Sequence, residues 1–254
     1  MAIDAIELSK ELDSYVGTDE GEDAHYYESI EVLTAKSGGG LFLAAKGGHN
    51  DENHNHNDVG SFIVYKNGKR MLIDPGTGMY TKAHFNGEER YTIWTHRSLY
   101  HNLPIINGGE QKCGRECAAR DTKCTLTAQK ASFSCDIAKA YKNKEEIKKW
   151  QRDIELCREC ESITLIEVFE LAEDFPCEIC FMTTCKIKVM DDKIVLTDVS
   201  GEKVEIDLCG ESYDVNIDKI DIDERQLLAG WGDTMYRIRI GFSAKEGKKR
   251  FIIK

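Results

Sequence analysis

Three prolines in 254 residues leave no room for a proline-rich linker, so the chain reads as one unit rather than a string of modules. No stretch approaches the ~18 consecutive apolar residues that a membrane-spanning helix needs. Residues Met1 to Glu20 hold no apolar run of the kind that marks a secretory leader, so no signal peptide is visible. For a piece of a longer protein, that says nothing of where the parent works. Positive charge is in deficit too: the net charge is −11 and the pI is near 5.2. That balance disfavours nucleic acid as a partner. It also argues against a heavily sulfated polyanion bound over a broad face. Internal repeats and low-complexity tracts are lacking. Hydrophobic residues make up 41%, enough to bury one substantial core.

Period-2 alternation dominates what is there. Val204, Ile206 and Leu208 alternate with Lys203, Glu205 and Asp207. Tyr236, Ile238, Ile240 and Phe242 alternate with Arg237, Arg239 and Gly241, and Tyr213, Val215 and Ile217 with Asp214, Asn216 and Asp218. Such strands bury one face and wet the other, as in stacked antiparallel sheets. Asn67-Gly68, between two strand-like runs, predicts a tight hairpin. Asp191-Asp192 and Ser200-Gly201 are further turns. Residues 143–150 fit either a helical turn or an extension of the following strand. The fold class expected is all-β: a large antiparallel β-sandwich of two stacked sheets with few or no helices. Residues 1–25 are expected to be a linker or short helix, with one helix or frayed segment over 3–15, and 26–254 to form the sandwich.

Ten cysteines form no dense framework of the small disulfide-rich kind. Cys157/Cys160 and Cys177/Cys180 formally match a paired C-x2-C zinc pattern. Against it, the segment between the pairs reads as a full strand, and a strand turns i and i+3 to opposite faces. The expectation is reduced structural thiols, which favour a reducing or anaerobic setting.

The most informative segment is Gly47-Gly48-His49-Asn50-Asp51-Glu52-Asn53-His54-Asn55-His56-Asn57-Asp58. Three of the seven histidines fall here among four Asn and two Asp. With residues 53–58 extended, His54, His56 and Asp58 would share a face. Two imidazoles on one side begin either a divalent metal site or a proton-transfer site. The plain alternative is a polar turn of hydrogen-bonded Asn and His. Asp74 ends an apolar strand just before Pro75-Gly76, and His101 opens another. Taken singly, Asp74 is a turn-former and His101 a core histidine. Taken together, residues at successive strand ends can converge; His, Asp and His leave a coordination position open for water or substrate, unless a second carboxylate or imidazole closes the site.

The stretches KGGHNDENHNHNDVGSFIVYKNGKRMLIDPGTGMYT (46–81) and RYTIWTHRSLYHNLPIING (90–108) resemble the C-terminal β-sandwich domain of heparinase II/III-like polysaccharide lyases. The resemblance implies zinc on His56, Asp74 and His101. It implies a catalytic part for His54 beside the metal, with Tyr91 or Tyr80 as the tyrosine near the cleaved bond. One of Arg90 and Arg97 is expected to meet a uronate, and Asn53 to touch substrate. Asn55, Asn57 and Asn102 would orient the ligands. The implied reaction is β-elimination on an acidic, uronic-acid-containing polysaccharide. Family enzymes also carry an N-terminal α/α toroid that supplies one cleft wall. Nothing here reads as that toroid, so the chain is expected to be the C-terminal part of a longer enzyme and weak or inactive alone.

Two other readings remain. One is a non-catalytic carbohydrate-binding sandwich with a structural metal, using exposed aromatics such as Trp94 or Trp231. The other is a cupin-like barrel, whose motif Gly48 and His54-Asn55-His56 begin. The expected glutamate is missing from that motif, because Gly60 and Ser61 stand in its place.

Overall fold

A computed structural model describes residues 23–87 and 89–254. The helix or frayed segment expected over 3–15 lies outside the described residues. In chain order the strands are β1 (Ala24–Tyr27), β2 (Val32–Lys36), β3 (Leu41–Lys46), β4 (His49–Asn50), β5 (Phe62–Lys66), β6 (Lys69–Leu72), β7 (Pro104–Ile106), β8 (Gly114–Ala118) and β9 (Arg120–Leu126). There follow β10 (Lys130–Asp136), β11 (Ile147–Cys157), β12 (Ser162–Thr183), β13 (Lys186–Val189), β14 (Lys193–Thr197), β15 (Lys203–Asp207) and β16 (Asp214–Asp221). A short helix, α1 (Arg225–Trp231), precedes β17 (Thr234–Ile253).

Every strand pairing is antiparallel. A five-stranded sheet runs β1-β2-β3-β5-β6. A ten-stranded sheet runs β13-β14-β15-β17-β12-β11-β10-β9, with β16 added to β17 and β7 to β12. Strands β4 and β8 form a small ribbon. β12 and β17 are the long central pair, and their register shifts between Glu170 and Phe175. Before that shift β12 pairs β11; beyond it, β7.

The alternation explains the stacking. Leu33, Leu43 and Val64 of the small sheet and Ile154, Leu165 and Ile240 of the large one are fully buried in a single apolar cluster. Phe62 of β5 meets Phe181 of β12 edge-on, with ring centroids 6.2 Å apart. The fold is therefore an all-β sandwich, and the cupin-like barrel is not formed. The turns at Asn67-Gly68, Asp191-Asp192 and Ser200-Gly201 fall between paired strands. Asn67 and Gly68 both take positive φ, as a tight two-residue hairpin requires. Residues 143–150 satisfy both readings: a single helical turn at Lys144–Glu146 leads into β11 at Ile147.

One network of buried polarity ties the large sheet to the loops beside it. Arg152 of β11 and Glu167 of β12 are register partners with no exposed surface, joined by Arg152 Nε at 2.9 Å. Trp150 Nε1 donates to the same carboxylate at 2.8 Å. Arg152 Nη1 then reaches across to the carbonyls of Gly60 (2.8 Å) and Asn102 (2.6 Å). A satisfied buried charge of this kind fixes the position of whatever it bonds.

Candidate metal centre and cleft

The histidine-rich segment is a loop, not a strand. Residues 51–60 are turns and bends, and His54 takes φ 60. The shared face expected for His54, His56 and Asp58 is therefore not formed. The cause lies in what pins the loop. Buried Gln111 accepts from Asn50 Nδ2 and Val59 N, both at 3.0 Å, and donates to Val59 O at 2.8 Å. Asp58 pairs with Lys46 at 2.8 Å. Gly60 closes the loop at φ 88, where a Cβ would stand 2.7 Å from Ile137 Cγ2. Only glycine suits both constraints.

The loop sends its two central histidines to different places. His56 turns inward and is buried. There its Nε2 lies 2.9 Å from Thr77 Oγ1, and its ring is 5.4 Å from that of His101. Asp74 follows β6. Its Oδ1 accepts from Gly76 N at 3.0 Å, and its Oδ2 lies 2.7 Å from His101 Nδ1. The turn-former and the site residue are thus the same side chain, using one oxygen for each. Ligand atoms from His56, Asp74 and His101 all lie within 4.8 Å of one another, a grouping that can hold a metal ion. His101 Nε2 is buried with no hydrogen-bond partner, as expected of a nitrogen shaped for a ligand. The donor set, two imidazoles and a carboxylate, is one that zinc accepts.

Electrostatics favour the same use. Burial, then the neighbouring His101, pulls His56 down to about 4, so its imidazole is neutral near pH 7. Burial also opposes charge on Asp74, but His101 and His56 outweigh it and hold the carboxyl below the usual range. For His101 burial works against the charged ring, and the Asp74 carboxylate overcomes it and raises the pKa.

The chain neighbours of Asp74 and His101 are braced by Asn102. Its Nδ2 donates to Phe62 O (2.6 Å) and Ile73 O (3.0 Å), and its Oδ1 accepts from Met182 N (2.7 Å). Helix α1 supports the other side of the Asp74 loop, where Trp231 Nε1 donates to Pro75 O at 2.8 Å. Trp231 and Trp94 are partly buried against an apolar cluster containing Ile73 and Met182, so both serve packing rather than an exposed sugar platform.

His54 faces outward into a cavity of about 370 Å³ shared with Asn53, Arg90 and Tyr91. Its Nδ1 lies 3.1 Å from Tyr80 Oη. Tyr91 Oη donates to Asn55 Oδ1 at 2.9 Å, and burial pushes its phenol up. Arg90 lines the cavity, but its guanidinium is committed to the carbonyls of Asn55 (2.8 Å) and His84 (2.7 Å). Arg97 is not brought to the cavity. It forms a two-point pair with Glu110 at 2.9 and 2.7 Å.

Two histidines escaped the reading of the sequence. His96 lies 4.2 Å from the His56 ring and His84 lies 5.1 Å from His96, centroid to centroid. Burial, then His56, lowers His96 to about 3. A simple inventory held the signal, since six of the seven histidines fall between 49 and 101.

The family profile described as heparinase II/III-like, C-terminal, matches residues 23–250. The chain belongs to that family. Among solved structures, the heparan sulfate lyase HepC from Pedobacter heparinus superposes with a TM-score of 0.72 at 13% identity, over 95% of this chain and 37% of that one. A heparinase III structure gives 0.68 at 14% identity, over 93% and 37%. At such identity the likeness shows the shared fold, and the chain spans little more than a third of either relative. No curated protein matches.

The C-x2-C pairs do not meet. Cys157 stands opposite Ser162 at one end of β12, whereas Cys177 lies fifteen residues farther along the same strand. At ~3.3 Å per residue that separation is on the order of 50 Å. All ten cysteines are free thiols.

Proposed function

We propose that this chain is the sandwich domain of a lyase that cleaves uronic-acid-containing polysaccharide by β-elimination. The observation that carries the reading is that His54 and Tyr91 line one cavity, with Tyr80 Oη against His54 Nδ1, and that the loop carrying His54 also sends His56 into the His56–Asp74–His101 cluster. Elimination removes the proton on C5 of the uronate and breaks the C4–O bond. His54, with a ring nitrogen exposed beside the Tyr80 hydroxyl, suits the proton removal. Tyr91, kept protonated by burial, suits donation to the leaving oxygen. Tyr80 is its rival for that part.

The zinc ligands in this reading are His56, Asp74 and His101. Zinc bound there supplies a fixed cross-link between the 51–60 loop, the turn after β6 and the segment before β7, and so braces the cleft. The carboxylate beside C5 must be neutralised before the proton becomes acidic. Arg90 is the one arginine or lysine among the described residues lining the cavity, and its donors are spent on backbone carbonyls. Asn53 is left to contact substrate, and the neutralising wall falls to an N-terminal toroid. Substrate and toroid are thus the two partners of this domain.

The relatives named above are lyases of heparan sulfate or heparin by name. A net charge of −11 favours instead a polymer with few sulfates. The test is ultraviolet absorbance of the unsaturated uronate product over alginate, heparan and glucuronan. This chain alone should show little or no cleavage. The longer protein that includes the toroid should cleave one polymer, and should lose that activity in His54→Ala while keeping its metal. Full-rate cleavage by the 254 residues alone, or indifference to His54→Ala, would overturn the assignment.

A further inference from the structure

Cys157 and Cys160 are used neither by the metal cluster nor by the cleft. Cys157 closes β11, and Cys160 stands in the turn 158–161 that leads into β12. The Cys160 backbone N–H donates to Cys157 Sγ at 3.1 Å. A separate hydrogen bond joins the two side chains, and it is the first cause pushing the Cys160 thiol up. Cys160 is exposed and Cys157 half-buried, so a solution reagent reaches the pair. Five of the other eight cysteines are buried.

The turn holds the two sulfurs in place. Glu161 takes φ 45, and its carboxylate accepts from Ser37 Oγ (2.7 Å) and Gly39 N (3.0 Å). Arg158 donates to Lys36 O (3.1 Å) and Thr127 O (2.8 Å). This hairpin therefore staples the large sheet to the β2–β3 turn of the small one. It does so at the end of β3 opposite Lys46, from which the chain enters the histidine loop.

We propose that Cys157 and Cys160 are a redox-active dithiol, which a small disulfide oxidant converts to an internal Cys157–Cys160 disulfide. One thiol gives up its proton and attacks the oxidant's S–S bond. A mixed disulfide forms, and the first oxidant thiolate leaves and takes that proton. The second cysteine then loses its proton and attacks the protein sulfur of the mixed disulfide. The second oxidant thiolate leaves with that proton. Two protein thiols are oxidised, and one oxidant disulfide is reduced to two thiols. Closing so short a loop removes little chain entropy, so the bond responds to redox conditions without being a major source of stability.

The test treats the native chain with oxidised glutathione, alkylates the remaining thiols and maps the peptides by mass spectrometry. The expected result is one peptide spanning 157–160 that has lost two hydrogens, restored by dithiothreitol. Cys160→Ser should instead carry glutathione on Cys157, and Cys157→Ser should carry it on Cys160, neither with an internal bond. Two outcomes would overturn the proposal. One is a glutathione adduct on the unmodified pair that the second cysteine never resolves. The other is full alkylation of both residues after oxidant treatment.

Discussion

Asn102 donates to the carbonyl oxygen of Ile73 at 3.0 Å, and these two residues are the chain neighbours of His101 and Asp74. One carboxamide thus sets the spacing of two members of the candidate metal cluster that are distant in sequence. Its other bonds, to Phe62 O and from Met182 N, anchor it to both sheets. Asn102→Ala leaves those buried backbone groups unpaired, at a cost of about 2–4 kcal/mol in unfolding free energy. Zinc affinity should fall about 10–100-fold, as for other residues that orient ligands. Denaturant unfolding and metal titration of the variant check both. Unchanged affinity would mean that His101 and Asp74 find their places without the brace.

Arg152 acts one layer deeper. It bonds Gly60 O at the end of the histidine loop and Asn102 O beside His101, and it neutralises Glu167. Arg152→Met strands a carboxylate in the core and should cost about 3–5 kcal/mol. Adding Glu167→Leu should recover much of that loss, because the stranded charge is gone. It should not restore zinc affinity, because the two carbonyls stay undonated. Denaturant midpoints and metal titration of the single and double variants separate the two effects. A double variant as unstable as the single one would refute the charge argument.

The sandwich was legible because alternation is local: each strand states its own buried face, as Val204 and Ile206 do. The grouping of His56, Asp74 and His101 was legible because the three lie in motifs that can be recognised in sequence. The loop's conformation was not. Alternation at 53–58 mimics a strand, and it is overridden by Gln111, more than fifty residues away, and by the positive φ of His54 and Gly60. The fates of Arg90 and Arg97 were equally hidden. Whether an arginine faces substrate or a carbonyl depends on backbone positions that no spacing rule supplies.

Asp218 of β16 gives the fold a pH dependence of known sign. Burial alone would raise its carboxyl, but bonds from Arg239 (2.9 Å) and Arg237 (2.9 Å) outweigh it and hold the pKa below the usual value. A depressed folded pKa contributes stability above the unfolded value of about 3.9, and that contribution is lost as pH falls through the folded value. Asp218→Asn should therefore be less stable than the parent at pH 7, with the gap closing below about pH 4. Arg237 also donates to Leu99 O at 2.9 Å, so the turn before His101 should loosen in the variant. Denaturant midpoints at pH 7, 4 and 3 decide the matter. A gap unchanged at pH 3 would show that the carboxylate charge is not its source.

Metal removal distinguishes the histidine cluster from the thiols. An ion that binds only the folded chain stabilises it by mass action, about 2.7 kcal/mol at a free concentration one hundred times Kd. A chelator should therefore lower the melting temperature of zinc-loaded protein, and added zinc should restore it. His56→Ala should bind no zinc and should melt at the same temperature with or without chelator. A thiol-blocking reagent applied to the native state should leave zinc content unchanged, because Cys157/Cys160 stand at the β11–β12 turn and Cys177/Cys180 far along β12 from it. Elemental analysis after each treatment reads the result directly. Zinc released by thiol blocking, or retained in His56→Ala, would move the site away from His56, Asp74 and His101.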